Sequence, residues 1–237
     1  MSVALHPQRE IIYPESDGQP MAENTQQFRW IVLIKENLET LFQYDPQVFV
    51  AGDLLWYPVE GETELRRAPD AMVVFGRPKG DRGSYRQWVE DDIAPQVVFE
   101  VLSPGNTLKE MVEKLTFYDT YGVEEYYIYD PETNEFTGWQ RQDERLQPIS
   151  AIDGWISPRL GIRFDLSGDE LQIVGPDGER FLSHQELRQQ REQARQETLA
   201  AQQQATAAQQ QAAAAQQRAE QLAARLRALG IDPDTLA

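Results

Sequence analysis

The chain has 237 residues, no cysteine and a formal net charge of −17. The lack of cysteine excludes disulfide bonds, thiolate metal sites and a cysteine nucleophile, and no window approaches the roughly 18–20 apolar residues of a membrane span, so we expect a cytoplasmic protein. The acidic excess lies before position 184, because six arginines balance six acidic residues from there onward, and such a field repels nucleic acid at long range.

The predicted elements begin with an irregular N-terminal arm, residues 1–20, in which proline and glycine recur. Residues 24–42 then carry apolar side chains at a spacing near 3.6, which predicts a helix. The expected buried face of this helix consists of Phe28, Ile31, Val32, Leu38 and Phe42.

Apolar runs and one further helix follow, and they predict the body of the fold. The runs are typical of buried strands and occupy residues 48–58, 70–76, 96–102 and 125–130, with a hairpin partner at 135–140 and shorter strands near 171–174. Residues 106–122 predict a helix that begins with a capping box of Thr107 and Glu110 and ends at Gly122. This order predicts an α/β fold with a mixed central sheet flanked by helices, in one domain at residues 21–183.

The tail, residues 184–237, differs in composition from the rest of the chain. It consists almost entirely of Ala, Gln, Glu, Arg and Leu until Gly230 and Pro233, which predicts a long helix that stops there. A seven-residue repeat runs through Leu187, Ala194, Ala201, Ala208, Ala215, Leu222 and Leu229. It predicts a coiled coil through which the chain forms a homodimer or docks a protein partner. A single solvated helix stays open, because alanine-rich segments show alanine in many registers.

Three charged residues lie within or beside segments that are predicted to be buried. Asp70 opens an apolar strand, Glu100 lies inside another, and Lys114 lies at the edge of the apolar stripe on the following helix. Two carboxylates on neighbouring strands can share Mg²⁺, or Mn²⁺ as a substitute. Lys114 can orient the metal-bound water or accept its proton. The pattern predicts a phosphodiester-hydrolysis site with Asp70 and Glu100 as metal ligands.

Each of these residues also has an ordinary structural explanation. Asp70 follows a proline and is typical of a strand start. A buried arginine or lysine can neutralise Glu100, and Lys114 can pair with Glu110 four residues earlier on the helix.

Residues 75–88 form a basic loop in an otherwise acidic domain. Arg77, Lys79, Arg82 and Arg86 outweigh Asp81 and give a net charge of +3. We expect the loop to lie beside the site and to contact the phosphates of DNA, with Tyr85 and Trp88 available for stacking on unpaired bases. A solvated mobile loop remains the alternative.

Three segments carry a resemblance to a known family: APDAMVVFGRP (68–78), VVFEVLSPGNT (97–107) and EMVEKLTFYDTYGVEEYYIYDP (110–131). They resemble the restriction endonuclease domain family of the PD-(D/E)XK superfamily, over roughly residues 20–170. The resemblance implies a restriction-endonuclease-like fold, Mg²⁺ dependence and cleavage of DNA, with Asp70 and Glu100 as its two acidic residues.

The sequence departs from the superfamily pattern at one position. The lysine usually lies two residues after the second acid, where this chain has Leu102. The resemblance therefore implies that Lys114 supplies the amine from the next helix. Many superfamily members also use a glutamate of the first helix. Glu23 is the nearest candidate, although we favour a role for it as the cap of that helix.

These observations together predict a Mg²⁺-dependent DNA endonuclease that forms homodimers. The alternative is a catalytically inactive adaptor that keeps the fold and acts through its coiled-coil tail. RNA or a small nucleotide stays open as the substrate.

Overall fold

The computed structural model describes residues 11–230 except positions 17 and 19. Half of the predicted N-terminal arm, residues 1–10, therefore lies outside the described residues. So do residues 231–237, which hold the end of the predicted tail with its proline stop.

Contacts divide the chain into two compact units, Met1–Leu182 and Ser183–Ala237. In chain order the first unit contains α1 (Thr25–Leu41), β1 (Val48–Ala51), β2 (Trp56–Tyr57), β3 (Ala71–Phe75), β4 (Tyr85–Arg86), a 3-10 turn (Gln87–Val89), β5 (Val97–Val101), α2 (Leu108–Thr120), β6 (Glu125–Asp130), β7 (Glu135–Gln142), β8 (Arg145–Pro148), β9 (Arg163–Asp165) and β10 (Gln172–Val174).

Six of these strands form the main sheet, in the order β1-β3-β5-β6-β7-β8. β5 and β6 run parallel to each other, whereas the other neighbouring strands are antiparallel. β2 pairs with β4, and β9 pairs with β10, in two small separate sheets. The predicted mixed sheet flanked by helices is confirmed.

The central strands are buried on both faces, which explains their nearly continuous apolar sequence. In β5, Val97, Phe99 and Val101 join the core that includes α1, whereas Val98 joins the core that includes α2. Because side chains of a strand alternate between faces, Glu100 lies on the same face as Val98, toward α2. The carboxylate that interrupts the apolar run therefore belongs to the α2 side of the sheet.

The buried face of α1 differs from the predicted one. Ile31 and Leu38 are buried as expected, but Phe28 and Val32 are exposed, and Trp30 and Ile34 take their places in the core. The prediction combined two helix faces, because the residues at positions 28 and 32 lie about 100° around the axis from those at 27 and 31.

The predicted single strand 48–58 is wrong, since the chain turns in its middle. Residues 52–55 separate β1 from β2, and Asp53 takes a positive φ of 49°. The N–H group of Asp53 donates to Pro69 O at 3.0 Å. This turn brings Asp53 close to the segment that precedes β3.

The ends of α2 follow the sequence signals closely. The side chain of Thr107 accepts a hydrogen bond from Glu110 N–H, and Gly122 follows the last turn with a φ of 91°. Only half of the capping box forms, because the Glu110 carboxylate accepts from Asn106 Nδ2 at 3.4 Å. The N-cap residue Thr107 still determines where the helix begins, and thereby where Lys114 lies along it.

The second unit is a single helix, α3 (His184–Ala228), as predicted for the tail. A full capping box between Ser183 and Glu186 starts it. At 1.5 Å per residue it is about 68 Å long, and none of its residues is buried. Within the described part of the chain, no helix combines the length and the apolar character needed to cross a membrane.

Candidate active site

Glu100 lies on β5, and Asp70 lies directly before the neighbouring strand β3. Ala71 pairs with Phe99 across β3 and β5, so Asp70, one residue earlier, comes level with Glu100. Asp70 Oδ2 accepts a hydrogen bond from Val101 N–H at 2.6 Å. The sheet itself thus holds the first acid against the strand of the second.

Glu100 is 2% exposed and has two donors from α2. Lys114 Nζ donates to Glu100 Oε2 at 2.7 Å, and the Tyr118 hydroxyl donates to Oε1 at 2.5 Å. Lys114 and Tyr118 are four residues apart, so they occupy the same helix face. Lys114 therefore pairs with the predicted acid of the sheet, whereas the alternative of a surface pair with Glu110 is not the contact that forms.

The electrostatics of the three groups are coupled. Burial and the neighbouring charge of Glu100 raise the pKa of Asp70 well above its ordinary value, although Lys114 opposes this. Burial lowers the pKa of Lys114, but Glu100 and Asp70 outweigh it and leave the pKa above its usual value. The amine therefore keeps its proton at neutral pH, which favours a role in orientation and charge stabilisation over a role as a base.

The expectation that Glu23 caps the first helix is wrong. Asn24 is the N-cap, and its Oδ1 accepts from Gln27 N–H at 2.8 Å. The Glu23 carboxylate instead accepts a hydrogen bond from Ser103 Oγ at 2.6 Å. A Cβ atom at Gly105 would collide with this carboxylate, so the glycine of the S-P-G-N-T segment permits the approach.

Glu23 and Asp70 line one cavity of about 630 Å³ together with Lys114. Gln27 fixes the wall between them, because its Nε2 donates to Val101 O and its Oε1 accepts from Glu23 N–H, both at 2.8 Å. The other lining residues are Pro20, Met21, Ala22, Asp53, Leu55, Glu64, Arg66, Arg67, Ala68, Ser103, Asn106, Glu110 and Glu113.

The cavity wall presents the carboxylates of Glu23 and Asp70, whereas Glu100 does not line it and accepts hydrogen bonds on both of its oxygens. No group of three or more His, Cys, Asp or Glu side chains among the described residues is arranged to hold a metal ion. Mg²⁺ nevertheless needs only one or two carboxylates, with waters and substrate phosphate as its remaining ligands. A cation beside Asp70 and Glu100 would also offset their mutual repulsion.

Tyr126 is a buried tyrosine near the acidic pair. Its hydroxyl is fully buried and has no hydrogen-bond partner within residues 11–16, 18 and 20–230. Burial, Glu100 and Asp70 raise its pKa well above the ordinary value. Its O–H group is thus a donor held close to the acidic pair.

The basic loop lies elsewhere than expected, because none of its described residues lines the cavity. Arg77 Nε donates to Glu90 Oε2 at 2.9 Å, and Arg82 Nε donates to Glu90 Oε1 at 2.7 Å. Arg77 also pairs with Asp91. Acidic residues directly after the loop therefore neutralise two of its arginines, while Lys79 and Arg86 are exposed.

The aromatic residues of the loop are also engaged in the fold. Tyr85 is fully buried, and its hydroxyl donates to Ile93 O at 2.6 Å, so it offers no face to a base. Trp88 packs against Tyr13, with ring centroids 5.0 Å apart.

We expect the Glu90→Gln substitution to destabilise the protein by about 1 kcal/mol at pH 7, because it removes charge-assisted bonds to two arginines. The hydrogen bond from Arg82 is the main cause that lowers the pKa of Glu90, against a smaller opposing effect of burial. The stabilisation is therefore complete above the unfolded-state pKa of about 4.3 and is lost as the pH falls through the folded-state value.

Chemical denaturation of the wild type and Glu90→Gln between pH 3 and pH 8 measures this difference. Glu62→Gln, at an exposed turn position, is the control and should match the wild type throughout. A Glu90→Gln difference that stays constant with pH would contradict the ion-pair explanation.

Sequence reasoning missed several residues that surround the site. Tyr118 was detectable from its position one helical turn after Lys114. Arg66 and Arg67 precede Asp70 by only four and three residues and line the cavity, although the denser basic loop that follows β3 does not.

Comparison with known proteins places the chain in a family. No curated protein matches it. Among solved structures, it is similar to a protein from Anabaena variabilis ATCC 29413 described as "a putative nuclease belonging to DUF820", with 14% identity, coverage of 63% of this chain and 82% of that one, and a TM-score of 0.47. The family Uma2, described as "Putative restriction endonuclease", matches residues 7–174, which is more than half of the chain. The protein therefore belongs to the Uma2 family.

Proposed function

We propose that the protein is a Mg²⁺-dependent nuclease that hydrolyses phosphodiester bonds of DNA in the cytoplasm. The observation that carries the proposal is the buried contact between Lys114 and Glu100, with Asp70 beside it at the wall of an open cavity. Membership of a restriction endonuclease family supports the choice of DNA as substrate.

In this proposal Asp70 and Glu100 hold the metal ion, and Mn²⁺ can replace Mg²⁺. When bound, the ion would make a coordinated water more acidic and would supply positive charge near the reacting phosphate. Lys114, which stays protonated, orients the water and stabilises charge on a non-bridging oxygen. Tyr118 keeps the Glu100 carboxylate in place through its short hydrogen bond. Hydrolysis itself adds the hydroxyl of water to phosphorus and its proton to the departing oxygen.

Glu23 joins the site in this proposal. Its carboxylate lines the same cavity, and Ser103 fixes one of its oxygens. The carboxylate would therefore be available to orient a water molecule in the cavity.

The loop cations remain candidates for contact with DNA. Lys79 and Arg86 are exposed and suit the predicted role. For Arg77 and Arg82 the role would require exchange of an existing ion pair with Glu90, which makes them the weaker candidates.

The proposal is tested by incubating purified protein with supercoiled plasmid and with single-stranded DNA, in Mg²⁺, in Mn²⁺ and in chelator. We expect cutting that depends on the added metal. A 40-nucleotide RNA and a cyclic dinucleotide, run in parallel, separate the alternative substrates. If none of the four substrates is cut with either metal, the inactive adaptor is the function that remains.

The exposed tail favours that adaptor as the second candidate function, and it also supports a homodimer of the nuclease. The 45-residue helix has no buried residue, so its apolar repeat is uncovered, and a second copy paired along the repeat from Leu187 to Leu229 would cover it. We therefore propose a parallel or antiparallel pair of tails, or docking of a helical protein partner on the same repeat.

We expect Ala208→Glu with Ala215→Glu to abolish self-association, because two charges would enter the predicted seam while the helix propensity stays high. Gln210→Glu with Gln217→Glu adds the same charge on the outer face and is the control. Sedimentation equilibrium over a range of concentrations measures the effect. Equal association of the two double variants would rule out this seam.

A further inference from the structure

Two consecutive arginines, Arg66 and Arg67, line the cavity that holds Asp70. Among the described lining residues, the cationic side chains are these two and Lys114. Lys114 already pairs with Glu100. Arg66 and Arg67 are therefore the cations of this lining that have no described carboxylate at hydrogen-bond distance.

The backbone fixes the position of Arg67, which Arg66 directly precedes. Arg67 forms an isolated bridge with Trp56, in which Trp56 N–H donates to Arg67 O at 2.8 Å and Arg67 N–H donates to Trp56 O at 3.2 Å. Asp70 lies three residues further on, which places the two Cα atoms within roughly 11 Å. The arginine pair and the first acid thus share one short, anchored segment.

Contacts to neutral groups orient the two guanidinium groups. Arg66 Nη1 donates to Thr63 O at 2.5 Å, and Arg67 Nη1 donates to Arg66 O at 2.9 Å. The guanidinium of Arg67 also lies 5.4 Å from the ring centre of Phe117. These contacts use few of the five N–H donors of each group and restrict its rotamers, so less entropy is lost when it binds a ligand.

The acidic neighbours of these arginines do not occupy them. Glu64 Oε1 is 3.7 Å from Arg66 Nη1, and Glu113 Oε2 is 3.8 Å from Arg67 Nη2, both beyond hydrogen-bond distance. The two carboxylates are 91% and 51% exposed, so these ion pairs are weak. Arg77 and Arg82, in contrast, bind Glu90 at hydrogen-bond distance.

We propose that Arg66 and Arg67 are the phosphate-binding element of this cavity and that they bind the backbone of the DNA strand that enters it. The proposal rests on the proposed nuclease function and names the residues through which the substrate is positioned. A guanidinium matches two oxygens of one phosphate, so two adjacent groups can bind successive phosphates. Their positive charge also offsets the acidic surroundings at short range.

The test measures binding separately from cutting. Fluorescence anisotropy measures binding of a fluorescein-labelled 20-base-pair duplex over a range of KCl concentrations. The buffer contains Ca²⁺ in place of Mg²⁺, so that a divalent cation can bind through oxygen ligands without DNA cleavage. The variants are Arg66→Gln, Arg66→Gln with Arg67→Gln, and Arg67→Lys. Arg145→Gln, an arginine on β8 with a 73% exposed side chain, is the matched control for loss of one positive charge.

We expect the double variant to bind about 10–100-fold more weakly and to lose about two units from the slope of log affinity against log salt. Arg145→Gln should behave as the wild type. Arg67→Lys keeps the charge and the contact with Phe117 but not the planar fork, so it should lie between the wild type and the double variant. Arg66→Gln leaves the Arg67 bridge and its contact with Phe117 in place, so it reports on binding even if the double variant unfolds.

The outcomes separate this proposal from the nuclease proposal. Unchanged affinity and slope in Arg66→Gln and in the double variant, with wild-type cutting intact, overturns the arginine role and leaves the nuclease standing. Weakened binding in a protein that never cuts supports the arginine role and overturns the nuclease. If Lys79→Gln with Arg86→Gln removes binding and the arginine variants do not, the loop is the binding element. Wild-type protein that binds no DNA overturns both proposals.

Discussion

Replacing Asp70 with asparagine is expected to remove metal-dependent DNA cleavage while making the metal-free protein more stable. Asparagine keeps an oxygen that can accept from Val101 N–H, so the local fold is retained. It removes a buried charge that burial and Glu100 both disfavour, as the raised pKa of Asp70 indicates. Opposite effects on activity and stability are typical of a residue retained for function.

The expected sizes are a loss of at least about 100-fold in the cleavage rate, since the metal site contributes several kcal/mol, and a gain of about 1 kcal/mol in the free energy of unfolding in chelator. The latter corresponds to about 2–4 °C in the unfolding midpoint. Added Mg²⁺ or Mn²⁺ should raise the midpoint of the wild type by mass action but not that of Asp70→Asn.

Asp81→Asn is the matched control, because Asp81 is an exposed loop residue outside the cavity. It should cut DNA and respond to metal as the wild type does. An Asp70→Asn protein that still shows the metal-induced shift would mean that the ion binds elsewhere.

Replacing Lys114 with methionine is expected to cause the largest loss of stability of any substitution at the site, about 3 kcal/mol. Methionine keeps most of the apolar stem, but it leaves the Glu100 carboxylate buried without its cation. Removing one partner of a buried ion pair costs about 3–5 kcal/mol, and the 17% exposure of the Lys114 side chain reduces this figure.

A double-mutant cycle separates the structural role of Lys114 from its catalytic role. Glu100→Gln in the Lys114→Met background removes the unpaired charge and should restore about 1–2 kcal/mol of stability. Cleavage should not return, because the amine and one metal ligand are both missing.

Lys109→Met is the control on the same helix, since the Lys109 side chain is 88% exposed and lies 3.8 Å from Glu113. Its effect should stay within about 0.5 kcal/mol. Chemical denaturation gives the stabilities, and plasmid nicking gives the activities. Equal stability of Lys114→Met and Lys109→Met would show that the Glu100 pair does not form in solution.

The centre of the candidate site could be predicted because Glu100 is an unusual residue for an apolar strand. A carboxylate in an apolar strand requires compensation, and the cation that provides it lay at the edge of the next buried stripe. The sequence predicted a metal ion as this compensation and left a buried arginine or lysine open as the alternative, and in the structure Lys114 provides it. The helix that carries Lys114 was equally predictable, because Thr107 and Gly122 mark its ends.

The surroundings of the site were harder to predict, because they depend on contacts between distant segments. Glu23 and Asn24 are both plausible caps, and only the tertiary contact with Ser103 decides which of them faces the cavity. The predicted net charge of the basic loop did not include Glu90, which forms ion pairs with Arg77 and Arg82. Local sequence contains no signal for either event.

The parallel pairing of β5 and β6 has a consequence for how the site tolerates changes in chain length. Parallel neighbours require a crossover, and α2 is that crossover, so Lys114 reaches Glu100 from a helix anchored by Phe117. An insertion in the connecting loop 102–107 leaves the rotational phase between Lys114 and Phe117 unchanged. An insertion between those two residues turns the amine by about 100° away from the sheet. Relatives can thus vary the distance between acid and lysine along the chain and keep the site, a freedom that a lysine on the strand itself lacks.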